Sequence, residues 1–302
     1  MKNYDIIIYH QGCSDGITAL WCANKYFKEN NIEYEKLSCP AGKDPKIDFE
    51  NKRILFVDLC PSLDFIIGVS TMAKQLTIID HHKSAYDMFL QNETFLKTLE
   101  NVEIILKMEY SGCQLTWDYF YPNVARPWFV DYVGDRDLWK WELPNSREIN
   151  SAFYHCEYIN DRKLELLDEL NNEDIDKLIN IGKTVISVQN KIINTQLKQS
   201  IECIFNVGET KYNVRVGCIN RDLRSDLGNM MCSVPLKSGD LPDFSIVWNY
   251  DPIPNAWYMS MRGTKNSPDL SVISKHFGGG GHSRAAGFEN KENPFGNLFI
   301  IN

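Results

Sequence analysis

The chain has 302 residues and a formal charge of −8, long enough for two cores and too acidic overall to suit a long polyanion, which needs clustered Lys and Arg. Nine cysteines, an odd number without a Cys-x-x-Cys pair, read as reduced thiols of a cytoplasmic protein and not as a disulfide framework. The opening "MKNYDIIIYHQ" is too short and too interrupted by Asp5 for a signal peptide, and no later stretch reaches the length of a membrane span, which argues for a soluble protein with no membrane partner.

Three short apolar runs come first: "DIIIY" (5–9), "RILFV" (53–57) and "LTII" (76–79). They are nearly continuous in Ile, Val and Leu, the pattern of strands buried on both faces. Between them "GITALWCANKYFKEN" (16–30) repeats Ile17, Leu20, Trp21 and Phe27 at helical spacing. Strands alternating with helices predict an α/β domain, mainly a parallel sheet flanked by helices. The segment 102–121 reads as strand, turn and helix, with "SGC" placed to cap that helix towards an anion.

Polar residues follow each strand. His10, Cys13 and Asp15 come after the first, Asp58 after the second, and Asp80, His81 and His82 after the third. Ligand sites in open parallel sheets lie beyond the carboxyl ends of the strands, so these groups should converge on one crevice. "DYVGDRDLW" (131–139) adds Asp131, Asp135 and Asp137. Several carboxylates in one crevice repel unless cations sit between them, and mixed oxygen and imidazole donors suit Mn²⁺, Fe or Zn²⁺ better than Ca²⁺. Two divalent ions are the natural count.

From about 157 to 200 the sequence becomes charged and helix-favouring, and is predicted to be a helical linker between a domain over 1–156 and a second, smaller α/β domain over 201–302. That second part contains the strand candidates "YNVRVGCI", "DFSIVWNY" and "AWYMSMR" and the glycine run of "GGGGHSRAAGF". Four glycines flanked by Phe277, His282 and Arg284 suit an ordered loop whose backbone N–H groups could cradle an anion. His155 and His276 lie in no motif, and Trp139 and Trp141 read as packing residues.

Taken in order, "YHQGCSDGITA", "FVDLCPS", "TIIDHHKS", "VGDRDLWKW" and "FGGGGHSRAAGF" resemble the motifs of the DHH phosphoesterases with a DHHA1-type second domain, the superfamily of nanoRNases and RecJ-like nucleases. The resemblance spans nearly the whole chain. It implies a pair of divalent metals, Mn²⁺ first with Mg²⁺, Co²⁺ or Zn²⁺ as alternatives, held by His10, Asp15, Asp58, His81 and one aspartate of the fourth motif. Asp58 would bridge them, and Asp80 would coordinate or orient His81. For the fourth motif Asp137 is favoured and Asp135 kept beside it; Asp131 is read as structural. His82 would face the scissile phosphate. Gly279, Gly280, Gly281 and His282 would hold the substrate phosphate or terminal nucleotide, with Arg262 and Arg284 as further contacts, though a surface ion pair suits Arg262 equally.

One departure stands out. Most of the family has Asp-x-Asp in the first motif, whereas this chain has Cys13-Ser14-Asp15. Either Cys13 coordinates as a thiolate or that metal site is weaker. The resemblance therefore implies a metal-dependent phosphodiesterase acting on short oligonucleotides, dinucleotides or a related small nucleotide, not on long duplex nucleic acid. The alternatives are a nucleotide-binding sensor with weakened catalysis, an exopolyphosphatase or a nucleoside bisphosphate phosphatase. A homodimer is left open.

Overall fold

A computed structural model of the chain describes residues 2–301, which fall into two compact units, one ending at Ile186 and the other beginning at Ser187. Among the described residues no helix is long and apolar enough to cross a membrane.

In the first unit the elements run β1 (Ile6–His10), α1 (Ser14–Glu29), β2 (Glu35–Cys39), β3 (Arg53–Val57), α2 (Leu63–Ser70), β4 (Gln75–Asp80), α3 (Lys83–Leu96), β5 (Val102–Leu106), α4 (Gly112–Phe120), α5 (Trp128–Asp137), α6 (Ser146–His155) and the short α7 (Glu165–Asp168). The strands form one parallel sheet in the order β2-β1-β3-β4-β5. Its two faces follow the two-residue alternation of strand side chains. Ile7, Tyr9, Leu55, Val57 and Ile79 pack against α1, α4, α5 and α6, while Ile6, Ile8, Ile54, Phe56 and Ile78 pack beneath α2 and α3. Both faces are covered, which is why the strand sequences are apolar throughout.

The three predicted runs form β1, β3 and β4. β2 lacks that signal because it lies at an edge, where Glu35 and Lys36 are exposed. The chain leaves β1 for β2 on one side and then crosses to β3 on the other. This reversal opens a crevice at the carboxyl ends of β1 and β3.

Between 157 and 200 lie α7 and the long α8 (Asp174–Gln199), in which the division between the units falls. Leu164, Leu167 and Leu178 bury in the core of the first unit, so the early part of this stretch belongs to that core.

The second unit has β6 (Ile201–Val207), β7 (Thr210–Cys218), α9 (Arg224–Cys232), β8 (Phe244–Asp251), β9 (Ala256–Arg262), α10 (Leu270–His276), β10 (Gly280–His282), β11 (Ala285–Asn290) and β12 (Phe299–Ile301). They make a mixed seven-stranded sheet in the order β10-β11-β9-β8-β7-β6-β12, parallel only between β7 and β8. The architecture is thus α/β with a parallel five-stranded sheet flanked by helices and a second, mixed-sheet domain.

Candidate metal centre

Asp58, the residue after β3, is the hub of the crevice. Its backbone is left-handed, with φ 55°, a conformation that aspartate tolerates better than most residues, and its N–H donates to Ile79 O at 2.9 Å. Asp58 Oδ2 lies 3.2 Å from His10 Nδ1, and Oδ1 lies 3.1 Å from His81 Nε2. Each oxygen therefore faces a different imidazole. Gly112, at the start of α4, backs onto this residue so closely that a Cβ there would stand 2.5 Å from Asp58 Cβ.

Three sets of donor atoms in the first unit each have their atoms within 4.8 Å of one another: Asp58, Asp80, His81 and His82; His10, Cys13 and Asp58; and Asp15, His81 and Asp137. Asp15, Asp58, Asp80 and His81 are buried to 1% exposure or less. His81 Nε2 is 3.6 Å from Asp15 Oδ2 and 3.3 Å from Asp137 Oδ2. That Asp137 oxygen is buried and makes no hydrogen bond. A buried carboxylate oxygen without a donor, aimed at other carboxylates and an imidazole, fits a divalent cation and is costly without one. Oxygen, nitrogen and thiol donors in these sets suit a transition metal.

The electrostatics agree. Burial, and then Asp58 and Asp137, push the Asp15 carboxyl upward, and burial does the same for Asp137. Burial also opposes charge on Asp58, but the hydrogen bonds from His10 and His81 outweigh it and hold the carboxyl well below the usual range. The three histidines are more basic than free imidazole because the carboxylates around them overcome the cost of burial. Burial, with Asp58 and Asp137 next, drives the Cys13 thiol well above its ordinary range, so a thiolate there needs a cation beside it.

Asp80 serves the two histidines that follow it. Its Oδ1 accepts from the backbone N–H of His81 at 2.8 Å and lies 2.7 Å from His82 Nδ1. This fixes the His82 ring, whose exposure of 23% leaves it open to a ligand.

Asp135 is not brought into the cluster. It turns to the far side of α5 and accepts from the backbone N–H groups of Glu142 and Leu143, at 2.9 and 3.4 Å. These bonds hold a turn in which Trp139 and Trp141 both have left-handed backbone, φ 54° and 56°. Their rings meet at 77°, and Arg147 lies over the Trp141 face. Asp131 bonds Gln114 and Arg126. "SGC" does cap α4 towards an anion: the N–H groups of Gly112 and Cys113 donate to the carboxylate of Asp15, at 2.5 and 3.0 Å. Sequence reasoning passed over Ser14 and Arg136, which meet at 3.1 Å and are the chain neighbours of Asp15 and Asp137, because neither residue type signals a metal site.

In the second unit, Gly280, Gly281 and His282 form β10, and Gly279 precedes it. A Cβ on Gly279 would stand 2.2 Å from Gly287 O, and one on Gly281, 2.6 Å from Ala285 O. Close packing on β11 is thus one reason for the glycines. Arg284 is exposed and donates to the carbonyls of Ser267 and Lys265. Arg262 donates to Met261 O and, at 2.6 Å, to Ser225 Oγ. Among the described residues no carboxylate stands within ion-pair distance of it. Desolvation, and then Arg224, push its pKa down to about 10.

No protein-family profile matches the chain. A curated relative, uncharacterized protein R106 of Acanthamoeba polyphaga mimivirus, is 30% identical over 297 residues, 94% of this chain and 66% of the relative. The chain thus spans just under two thirds of that relative's length. Among solved structures, RecJ in complex with Mn²⁺ from Thermus thermophilus matches with a TM-score of 0.52 at 11% identity, over 94% of this chain and 49% of RecJ. The pGpG-specific phosphodiesterase PggH from Vibrio matches with a TM-score of 0.47 at 10% identity, over 95% and 93% of the two chains. At these identities the RecJ likeness is one of fold.

Proposed function

We propose that the chain is a metal-dependent phosphoesterase of the DHH type that hydrolyses short oligonucleotides, dinucleotides or a related small nucleotide. The observation that carries this reading is the two donor sets that meet at Asp58, which belongs to the first through the oxygen facing His10 and touches the second through the oxygen facing His81. In it, His10, Cys13 and Asp58 would hold one divalent cation, and Asp15, His81 and Asp137, with Asp58 beside them, would hold the second. Mn²⁺ is the first choice, in keeping with the Mn²⁺ bound by RecJ, whose fold the chain shares. Such cations, when bound, would acidify a water and polarise the phosphate it attacks.

The chain's own groups do the rest. Asp58 sets the spacing of the two sets, and its strained backbone is held from behind by Gly112. Asp80 orients the His82 imidazole, and in this reading His82 hydrogen-bonds a phosphate oxygen or the departing alkoxide. In the second unit, Arg262 and the Gly279–His282 segment are assigned to the substrate. Arg262 is the stronger of these assignments, as a desolvated guanidinium that makes no direct ion pair suits an anion, although Asp226 is near enough to raise its pKa.

The test is turnover by purified protein with Mn²⁺, Mg²⁺, Co²⁺ or Zn²⁺ against dinucleotides, two- to five-mers, adenosine bisphosphate, cyclic dinucleotides and polyphosphate. Metal-dependent cleavage of the short nucleotides, lost in Asp58→Asn, supports the reading. Tight nucleotide binding without any product would instead make the chain a sensor, and turnover of polyphosphate alone would move the substrate class.

A further inference from the structure

We infer that Arg136 and the Ser14 hydroxyl form an oxyanion subsite beside the metal cluster, taking phosphate oxygens of the substrate; this rests on the phosphoesterase reading. Arg136 lies in α5 next to Asp137, and its Nη1 donates to Ser14 Oγ at 3.1 Å. Ser14 stands in the chain between Cys13 and Asp15. The pair is thus adjacent, through both chain segments, to residues of the two donor sets. A second contact fixes the guanidinium, which lies 5.3 Å from the ring centroid of Tyr154 on α6.

Arg136 lacks a counter-ion. Among the described residues no carboxylate is within ion-pair distance of it, although it sits between two aspartates and the first unit carries all of the chain's acidic excess. Arg53, Arg126 and Arg215 are each paired with an acid. Helix geometry accounts for the difference. Successive helical residues point about 100° apart, so neither neighbour faces Arg136. Asp137 turns into the cluster and Asp135 to the backbone of Glu142 and Leu143.

What remains is a half-buried guanidinium held by a hydroxyl and an aromatic face, with most of its N–H donors unspent. A planar donor fork fixed in advance is well suited to a phosphate, because little side-chain entropy is lost when the anion arrives. A hydroxyl beside it adds one more donor. The ligand class is therefore the phosphate group of a mono- or diester, since neither group reads a base.

The test uses full-length, Mn²⁺-loaded protein and two readouts: calorimetric binding of inorganic phosphate, and kcat and KM for a 5′-phosphorylated dinucleotide. Arg136→Gln is expected to weaken phosphate binding and lower kcat/KM by about 10- to 100-fold, with bound Mn²⁺ unchanged. Arg136→Lys should fall between it and wild type, and Ser14→Ala should lose less than about 5-fold. Phosphate binding by Arg136→Gln equal to wild type overturns the inference, as does a wild type that binds no phosphate. Equal losses in Ser14→Ala and Arg136→Gln, accompanied by loss of Mn²⁺, would reduce Arg136 to a tie for the start of α1 and overturn it too. If wild type hydrolyses nothing, the phosphoesterase reading falls, and the phosphate-binding comparison still decides the subsite.

Discussion

Asp80 and His82 form an oriented acid and imidazole pair, Oδ1 to Nδ1 at 2.7 Å, at the tip of a strand whose preceding residues, Ile78 and Ile79, are fully buried core. The carboxylate is held below its usual range chiefly by His82, against the opposing cost of burial. Asp80→Asn keeps the shape but removes the charge that fixes the ring. The expected outcome is a fold-intact protein with kcat lowered about 10- to 100-fold and KM little changed. Steady-state kinetics checks this, and an unchanged kcat would remove His82 from the chemistry.

Asp58 and Gly112 make a second relationship, one of space. A Cβ at position 112 meets the Cα and Cβ of Asp58 at 2.8 and 2.5 Å, so backbone must shift. Gly112→Ala should cost about 1–3 kcal/mol of stability and weaken Mn²⁺ binding. Gly68→Ala is the control: it lies inside α2 with nothing within 4 Å of its Cβ, and should be neutral or stabilising by up to about 1 kcal/mol. Denaturant melts and Mn²⁺ titration of the two variants give the comparison. Equal effects at both positions would mean that Asp58 is not held from behind.

Much of this was legible in the sequence. A sheet covered on both faces needs apolar strands, and the Ile and Val of β1, β3 and β4 announce them. An aspartate or histidine just past such a run then has few places to go but the crevice. Where sequence reasoning stopped, the missing information was angular or tertiary. Asp135 and Asp137 are two residues apart on α5, and only the phase of the helix says which one faces the cluster. β2 carries charges because it is an edge. That Asp15, ninety-seven residues away, is the anion at the start of α4 follows from the fold alone.

The metal-free cluster should make stability fall as pH rises. Asp15 and Asp137 have folded-state pKa values above the ordinary 3.8, so the folded protein keeps protons that the unfolded chain releases, and that contribution is lost as pH climbs through the folded values. His10, His81 and His82, raised above 6.5, act with the same sign: their contribution is full below the unfolded pKa and disappears as pH passes the folded one. Asp58 and Asp80 are depressed, and their contribution is lost only in acid. Chelator-treated protein should therefore melt lower at about pH 9 than at about pH 6, and added Mn²⁺ should raise Tm more at the higher pH. Thermal melts across pH, with and without chelator, read this directly. A Tm in chelator that stays flat or rises with pH would contradict the charge arrangement.

Asp135→Asn and Asp137→Asn should separate cleanly. The first weakens the bonds to Glu142 and Leu143 N–H that hold the left-handed turn of Trp139 and Trp141, and should cost about 1–2 kcal/mol while leaving Mn²⁺ stoichiometry at its wild-type value. The second removes a donor from the set formed with Asp15 and His81 and should lower the bound Mn²⁺ with little loss of fold. Equilibrium dialysis beside a melt distinguishes them. Metal lost in Asp135→Asn but kept in Asp137→Asn would reverse the assignment.

Cys13 offers the sharpest chemical test, because one substitution restores the acid that the resemblance leads one to expect. Its sulfur lies within 4.8 Å of the donor atoms of His10 and Asp58, and burial drives its thiol well above the ordinary range. A thiolate in this position gains its charge only alongside a cation, and its softness favours Zn²⁺ over Mn²⁺ relative to a carboxylate. Cys13→Asp should therefore shift the ratio of Zn²⁺ to Mn²⁺ affinity towards Mn²⁺ by about tenfold or more, whereas Cys13→Ala should weaken both ions at one site. Competitive titration with a metal indicator measures the ratio. If neither variant changes it, Cys13 is a packing residue, and His10 and Asp58 hold that ion without it.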